Sequence, residues 1–430
     1  MAQTLLSLLI LVCLVLLVWG FQKPQRMLQY PFLATAIFSG WVLPQLAGLS
    51  TEPTRFPPGA LSKTIFMTLL CVVACYVGHI INKRPFSAFN WSFDHRRLLT
   101  AATVISLIGS YFFYRVSLLR EDAGSQWSGE ITILAFFSEL MTVGLVVAVV
   151  TYLHHPSRWA LAIIGFDLIF FFDRIVIHGR RRAVIELSMI IGLALWFRFR
   201  KLPPRPLIAA ILLVGALWIN SVGDYRSVML GTEGQGLAGI TQIDFVGNLR
   251  RIATEGGSEL TNALHDIEAF DQRGNFDWGK RYWNRFVRLY VPGQLIGEEV
   301  KRSMMLPQDP AALILFGYRS PTGSTRTGIS HVFQSFWYFG AIEFLIIAYF
   351  MRSFFRAADR GHFVAQILLM LIFAGALESI THNTERFFLA WPRIILFLGP
   401  VLWFSKVRQG EIWKYYLPKQ SLCESSLESQ

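Results

Sequence analysis

Runs of about twenty apolar residues recur down the whole chain, and a run of that length is what one helical crossing of a bilayer requires. About eleven can be marked, at approximately 4–21, 28–50, 61–81, 98–119, 130–153, 158–177, 183–199, 206–222, 330–350, 363–380 and 386–404. They are continuous rather than alternating, which excludes a transmembrane β-barrel. Composition agrees. Hydrophobic residues make up 53% of the chain and charged residues only 16%, whereas soluble domains carry roughly 25% charged. The 430 residues therefore read as an all-α, polytopic integral membrane protein. The first run has no basic residue before it and no small-residue cleavage site after it, so it reads as a retained span rather than a signal peptide.

The net charge is +12, and its placement orients the spans. With the N-terminus outside, the cytoplasmic loops hold Lys23 and Arg26; Lys83, Arg84, Arg96 and Arg97; Arg158; Arg198, Arg200, Lys201 and Arg205; and Arg352, Arg356 and Arg360. The tail adds Lys406, Arg408, Lys414 and Lys419, which leaves the C-terminus inside. The outer loop at 120–130 is acidic, with Glu121, Asp122 and Glu130. This obeys the positive-inside rule. One short outer turn breaks it, His178-Gly179-Arg180-Arg181-Arg182. The long outer segment 223–329 is also basic, but long loops translocate regardless of charge.

Four units follow: a first bundle over 1–222, the outer segment over 223–329, the last three spans over 330–404 and a cytoplasmic tail over 405–430. The outer segment reads as folded, with amphipathic helices. Over 259–270, Leu260, Leu264, Ile267 and Phe270 fall on one face. Over 280–290, Lys280, Arg281, Arg285 and Arg288 interleave with Tyr282, Trp283, Phe286 and Tyr290. That stretch suits either a helix at the membrane interface or one packed on the neighbouring spans. It brings no nucleic-acid-binding motif with it, so nucleic acid is not an expected partner. Cys71 and Cys75 stand one helical turn apart, Cys13 lies in another apolar run and Cys423 in the tail; neither a disulfide framework nor a zinc site is supported.

Ionisable residues inside spans are expensive and point to function. Asp167, Asp173, Arg174, Glu186, Glu139, Glu343, Glu378, His382, Glu385 and Arg386 qualify, and most collect near the outer face beside the arginine turn. Asp173 with Arg180 or Arg181, and Glu378 with Arg386, are possible structural ion pairs. Too few acids surround the turn to neutralise three guanidiniums. A guanidinium forks onto phosphate oxygens and stays charged. An arginine cluster at this depth can therefore hold a lipid-linked diphosphate and stabilise the charge that develops on it as a leaving group. The candidate diphosphate-binding residues are Arg180, Arg181, Arg182, Arg326, Arg386 and Arg174. The acceptor hydroxyl needs a general base, for which His331, Glu378 and Glu139 are the candidates. Protease, NTPase, hydrolase and dinucleotide readings have no support, and no metal or cofactor is expected.

The chain resembles the O-antigen polymerases, the oligosaccharide repeat-unit polymerases of bacterial envelopes, which are distantly related to the O-antigen ligases. Three features carry the resemblance: the span count with one large outer loop before the last spans; the turn Gly179-Arg180-Arg181-Arg182-Ala183 leading through an apolar helix to R-F-R-K-L-P-P-R; and T-R-T-G-I-S-H-V-F-Q-S-F-W-Y-F-G, ending at Gly340. The resemblance implies an inner-membrane glycosyltransferase that acts on undecaprenyl-diphosphate-linked oligosaccharide among membrane lipid, with a chain-length regulator as a potential partner. It maps the family arginine to Arg181, with Arg180 adjacent, and the outer-loop histidine to His331, with Arg326 beside it. Three arginines stand where one is typical. Val332 follows the histidine where related ligases often carry a polar residue, which favours polymerase over ligase. A flippase would show internal repeats or helices broken by Gly or Pro in matching halves, and neither is visible in the sequence.

Overall fold

A computed structural model describes residues 1–86, 91–119, 130–230, 243–321 and 324–407. The acidic pair Glu121 and Asp122, and the tail's Arg408, Lys414, Lys419 and Cys423, lie outside the described residues. The described residues are 81% helical, and no strand occurs among them. The cause is physical. In lipid every backbone N–H and C=O must be paired within its own segment, and only a helix does that without a partner.

Eight helices among the described residues are long and apolar enough to cross a membrane. They are α1 (Ala2–Phe21), α2 (Tyr30–Leu49), α3 (Ala60–Ile81), α4 (His95–Leu119), α5 (Glu130–His154), the composite Gly328–Asp359, Phe363–Thr381 and Glu385–Ser405. The three other apolar runs also lie on helices: α6 (Arg158–Phe172, continued by a π-turn to Ile177), α7 (Arg181–Phe199) and α8 (Arg205–Leu230). Helix α8 passes the expected boundary at 222 by two turns. The segment expected outside then folds as α9 (Phe245–Glu255), α10 (Ser258–Arg273), α11 (Lys280–Tyr290) and α12 (Ala311–Phe316), with two shorter turns between the last two.

The expected span 330–350 is corrected. A short helix, α13 (Gly328–Phe336), ends at Trp337, whose φ of 53° is left-handed, and a 3-10 turn follows. The chain then re-enters as α14 (Ala341–Asp359). At a rise of about 1.5 Å per residue, α14 alone can cross the core.

Helices of the first bundle and of the last spans pack on one another. Helix α14 packs along α3, and α15 (Phe363–Thr381) packs against α5 and α7. Gly78 permits the first contact, because a Cβ there would stand 2.1 Å from the Leu345 carbonyl oxygen. Helix α15 is central, 89% of its apolar window being buried, whereas α1 and α4 are peripheral at 22% and 28%. The last helix, α16 (Trp391–Ser405), follows a one-turn helix, Glu385–Phe388.

Alternate helix ends gather at two opposite faces. At one, Gln25, Trp196 and Arg200 all bond Asp359, His79 meets Arg352 at 2.8 Å, and Asp94 N–H donates to Ser405 at 2.9 Å. Most of the basic residues assigned to cytoplasmic loops stand at this face. At the other, the outer segment docks on the spans: Lys63 pairs with Glu268 at 2.9 Å and Asp271 at 2.5 Å.

Candidate functional site

The arginine turn is placed by α6 and α7. The π-turn ending α6 delivers Gly179, and Arg180 N–H donates to the Arg174 carbonyl at 3.0 Å. Arg180 is the N-cap of α7 and is exposed. Arg182, in the first turn, reaches inward to three carboxylates: Glu186 at 2.7 Å, Glu139 at 3.6 Å and Glu378 at 3.9 Å. Arg386 shares Glu378 at 3.5 Å, and Arg393 shares Glu139 at 3.5 Å. The cluster thus joins α5, α7, α15 and α16, with Glu378 and Glu139 each bridging two arginines.

Arg182 is thus the member of the turn that these carboxylates hold in the bundle. Asp173 pairs with His178, the first residue of the turn, at 3.2 Å, and the expected Glu378–Arg386 pair is present. Arg174 is buried over the rings of Phe113 and Phe171, at 5.3 and 5.8 Å, and donates to the Ser138 carbonyl. It braces the cluster from behind and does not line the cavity in front of it.

That cavity, about 90 Å³, is lined by Arg182, Arg285, Arg386 and Arg393, with one carboxylate, Glu385, and with Tyr290 and Phe136. Helix α11 supplies Arg285. Its charged face is turned inward: Arg281 pairs with Asp277 at 3.3 Å and Arg285 with Glu385 at 3.8 Å, while Trp283 is exposed. Of the two placements open to this stretch, helix α11 is packed on the spans, through Arg285 together with Tyr282 and Tyr290, and leaves Trp283 and Arg288 exposed. Burial, with Arg386 and Arg288 nearby, holds the Arg285 guanidinium below its ordinary range. Burial and the neighbouring Arg326 lower Arg281 to about 10.

His331 lies beyond Glu385. Thr327 caps α13 by accepting from Ser330 N–H, and Gly328 lets the helix start against α15, where a Cβ would stand 1.7 Å from the Ser379 carbonyl oxygen. His331 is consequently buried, not open to the aqueous side as its position at the head of a span implies. Its Nδ1 is 3.0 Å from Thr384 Oγ1. Its Nε2 makes no hydrogen bond among the described residues and faces Glu385 Oε2 at 3.8 Å. Behind Thr384, the Tyr282 hydroxyl stands 2.6 Å from its Oγ1 and donates to Glu343. Burial and Glu343 push the Tyr282 phenol well above its ordinary range, so it remains a donor. Arg326 is set apart from the arginine-lined cavity and pairs with Asp266 at 3.3 Å.

Thus Arg182, Arg386, Glu139, Glu378 and His331 are brought together or bridged through Glu385; Arg180, Arg174 and Arg326 stand outside. Sequence reading overlooked Arg393, although an arginine inside an apolar run is itself a signal. Tyr282 and Thr384 carry no such signal, because only the docking of α11 brings them beside the histidine. The string G-Q-G-L-A-G at 234–239 spells a dinucleotide pattern by letter, which the expected absence of that motif overlooked. It lies outside the described residues, and the chain before it is helix α8 rather than the strand that such a site requires. No family model, curated protein or solved structure matches the chain.

Proposed function

We propose that this chain is a membrane glycosyltransferase that polymerises lipid-diphosphate-linked oligosaccharide repeat units into envelope polysaccharide. The observation that carries the reading is the cavity lined by four arginines at one face of an apolar helical bundle. Guanidiniums there suit a diphosphate held at head-group depth. In the reaction the acceptor hydroxyl oxygen bonds to the donor's anomeric carbon. The bond from that carbon to the lipid diphosphate breaks, and the bonding electrons leave with the diphosphate. Arg182, Arg386 and Arg393, preorganised by Glu139 and Glu378, meet that charge. The hydroxyl proton passes to His331, whose Nε2 is free of hydrogen bonds among the described residues. The chemistry needs no metal or cofactor beyond these residues.

The reading places about eleven crossings in the bacterial inner membrane, with the N-terminus outside and the tail cytoplasmic. The face that gathers most of the loop arginines and lysines would then be inside. The donor would be undecaprenyl-diphosphate-linked, and a chain-length regulator is a fitting partner. A ligase moving glycan to another acceptor would use the same chemistry.

One observation favours a second reading, transport of lipid-linked oligosaccharide. The break between α13 and α14 resembles the discontinuous helices of transporters. The two readings part in one experiment. Cells carrying Arg386→Ala at normal protein level should accumulate single lipid-linked repeat units on the outer face of the membrane and make no polymer. Accumulation on the inner face would replace the polymerase with a transporter. Full polymer yield would remove the arginine cavity from the mechanism.

A further inference from the structure

At the face opposite the four-arginine cavity, the ends of α1, α3 and α14 bring together a basic cluster that the proposed reaction does not use. His79, near the end of α3, is buried, and its Nε2 accepts from Arg352 Nη1 of α14 at 2.8 Å. Trp19 of α1 meets the His79 ring edge-on with centroids 5.6 Å apart, and the Arg26 guanidinium lies 4.8 Å from the Trp19 ring. One turn after Arg352, Arg356 donates to the Lys83 carbonyl just past the end of α3. The charges that act on His79 are those of Arg352, Arg356 and Arg26, and Arg356 and Arg26 act on Arg352 in turn. Lys83 and Arg84, at the same helix end, are exposed.

Among the described residues no carboxylate pairs with these three arginines. Arg26 donates to the Trp19 carbonyl and the Gln22 amide, Arg352 to an imidazole and Arg356 to a carbonyl, and none of these acceptors carries a negative charge. The acids of this face are engaged elsewhere. Asp359 is bonded by Gln25, Trp196 and Arg200, and Asp94 accepts from the N–H groups of Arg96 and Arg97. Like charges held together at half burial repel more strongly than they would in water. A guanidinium has five N–H donors, so each of the three keeps donors for an oxyanion.

The surface beside the cluster says which anion. Val15 and Val18, within about one turn before Trp19, are 58% and 60% exposed. Ile80 and Ile81, directly after His79, are 50% and 55% exposed. Apolar surface therefore adjoins the basic cluster at the same depth on both helices. A free anion gains nothing from it, whereas a lipid with a phosphate head group uses both surfaces. Basic pockets between spans at the membrane boundary hold such head groups, and arginines fork onto their phosphate oxygens.

We infer that the ends of α1, α3 and α14 form a binding site for an anionic phospholipid, with its phosphate among Arg26, Arg352 and Arg356 and its acyl chains along α1 and α3. The bound lipid relieves the repulsion among the arginines and ties the peripheral α1 to the two helices beside it. The site does not depend on the reaction proposed above, and either can fail without the other.

The test uses the full-length protein purified in a neutral detergent, with phosphatidylglycerol as the probe and phosphatidylcholine as the control. Native mass spectrometry should show saturable binding of phosphatidylglycerol, and the unfolding temperature should rise with that lipid but not with phosphatidylcholine. Arg26→Gln together with Arg352→Gln should weaken the binding about tenfold or more. Because Arg352 bonds the buried His79, its loss can unfold the protein. Lys83→Gln together with Arg84→Gln, both at exposed positions, should therefore weaken binding about threefold or more while leaving the unfolding temperature of the lipid-free protein unchanged. Arg158→Gln and Arg198→Gln, exposed at the same face but outside the cluster, should leave binding as it is. No binding to the wild type, equal binding of the two lipids, unchanged binding in the Lys83 and Arg84 variant, or an equal loss in the Arg158 and Arg198 variants overturns the inference. Displacement by inorganic phosphate at the same concentration as the lipid also overturns it, leaving an anion site that takes no lipid.

Discussion

Arg182 and Arg180 stand two residues apart in the same turn and have different fates. Arg182 is fixed among three carboxylates, whereas Arg180 is exposed at a helix cap. A lysine cannot fork between Glu139 and Glu186 or grip two phosphate oxygens. Arg182→Lys should therefore lower polymer yield about tenfold or more, and Arg180→Lys should leave it near wild type, with band patterns on polysaccharide gels as the readout. Equal losses would mean that the turn acts as a diffuse charge. At Asp266, burial raises the pKa above the ordinary aspartate value despite Arg326 and Arg281. The folded form then binds its proton more tightly than the unfolded chain does. Its contribution to stability is present at low pH and is lost as pH rises through the folded pKa. Thermal unfolding of the purified protein should show that downward slope just above about pH 4, and Asp266→Asn should flatten it.

Helices were legible in the sequence wherever apolar runs are long, since burial in lipid leaves the backbone no other solution. All eleven expected spans fall on helices, with ends within a few residues except at α8 and at the Trp337 break. That break was not legible: Trp337 takes a left-handed φ with no Gly or Pro beside it, held by packing and by its indole donating to Asp271 at 3.0 Å. The acids and arginines of the site could be read as misfits in apolar runs, but their partners could not, because Glu139, Glu378 and Arg393 meet only through the packing of α5, α15 and α16. Helix α11 shows the same limit, since its amphipathic pattern is plain while the face it buries depends on where Glu385 stands. Close contact between elements gives a further expectation. With the Leu345 carbonyl so near, Gly78→Leu should force α3 and α14 apart and cost about 1–3 kcal/mol or more, visible as a lower unfolding temperature. No loss would mean that the two helices pack less closely than the structure has them.

Two-sidedness belongs to the whole molecule. Cysteines placed at Ser258, in the outer segment, and at Ser92, at the basic face, should react oppositely with a membrane-impermeant thiol reagent applied from outside: the first labelled, the second not. The native Cys13, Cys71 and Cys75 are buried and should give little background. The reverse pattern would invert the molecule and remove a lipid-linked donor on the outer face. The inward-turned arginines of α11 bear also on how the protein is made. A chain is synthesised from its N-terminus, at about 5–20 residues per second. Arg285 leaves the ribosome a hundred residues before Glu385, and the Tyr282 hydroxyl as long before Thr384. Until the last hairpin inserts, Arg285 lacks Glu385 and Tyr282 lacks Thr384, so α11 has, of the spans' carboxylates, only Glu343 of α14 to hold it, while Arg182 already has Glu139 and Glu186. Assembly should therefore be ordered, with the first acid–arginine contacts forming early and the outer segment latching last. A chain stopped after residue 362 should insert its early helices yet leave α11 open to an external protease that cannot cut it in the full-length protein.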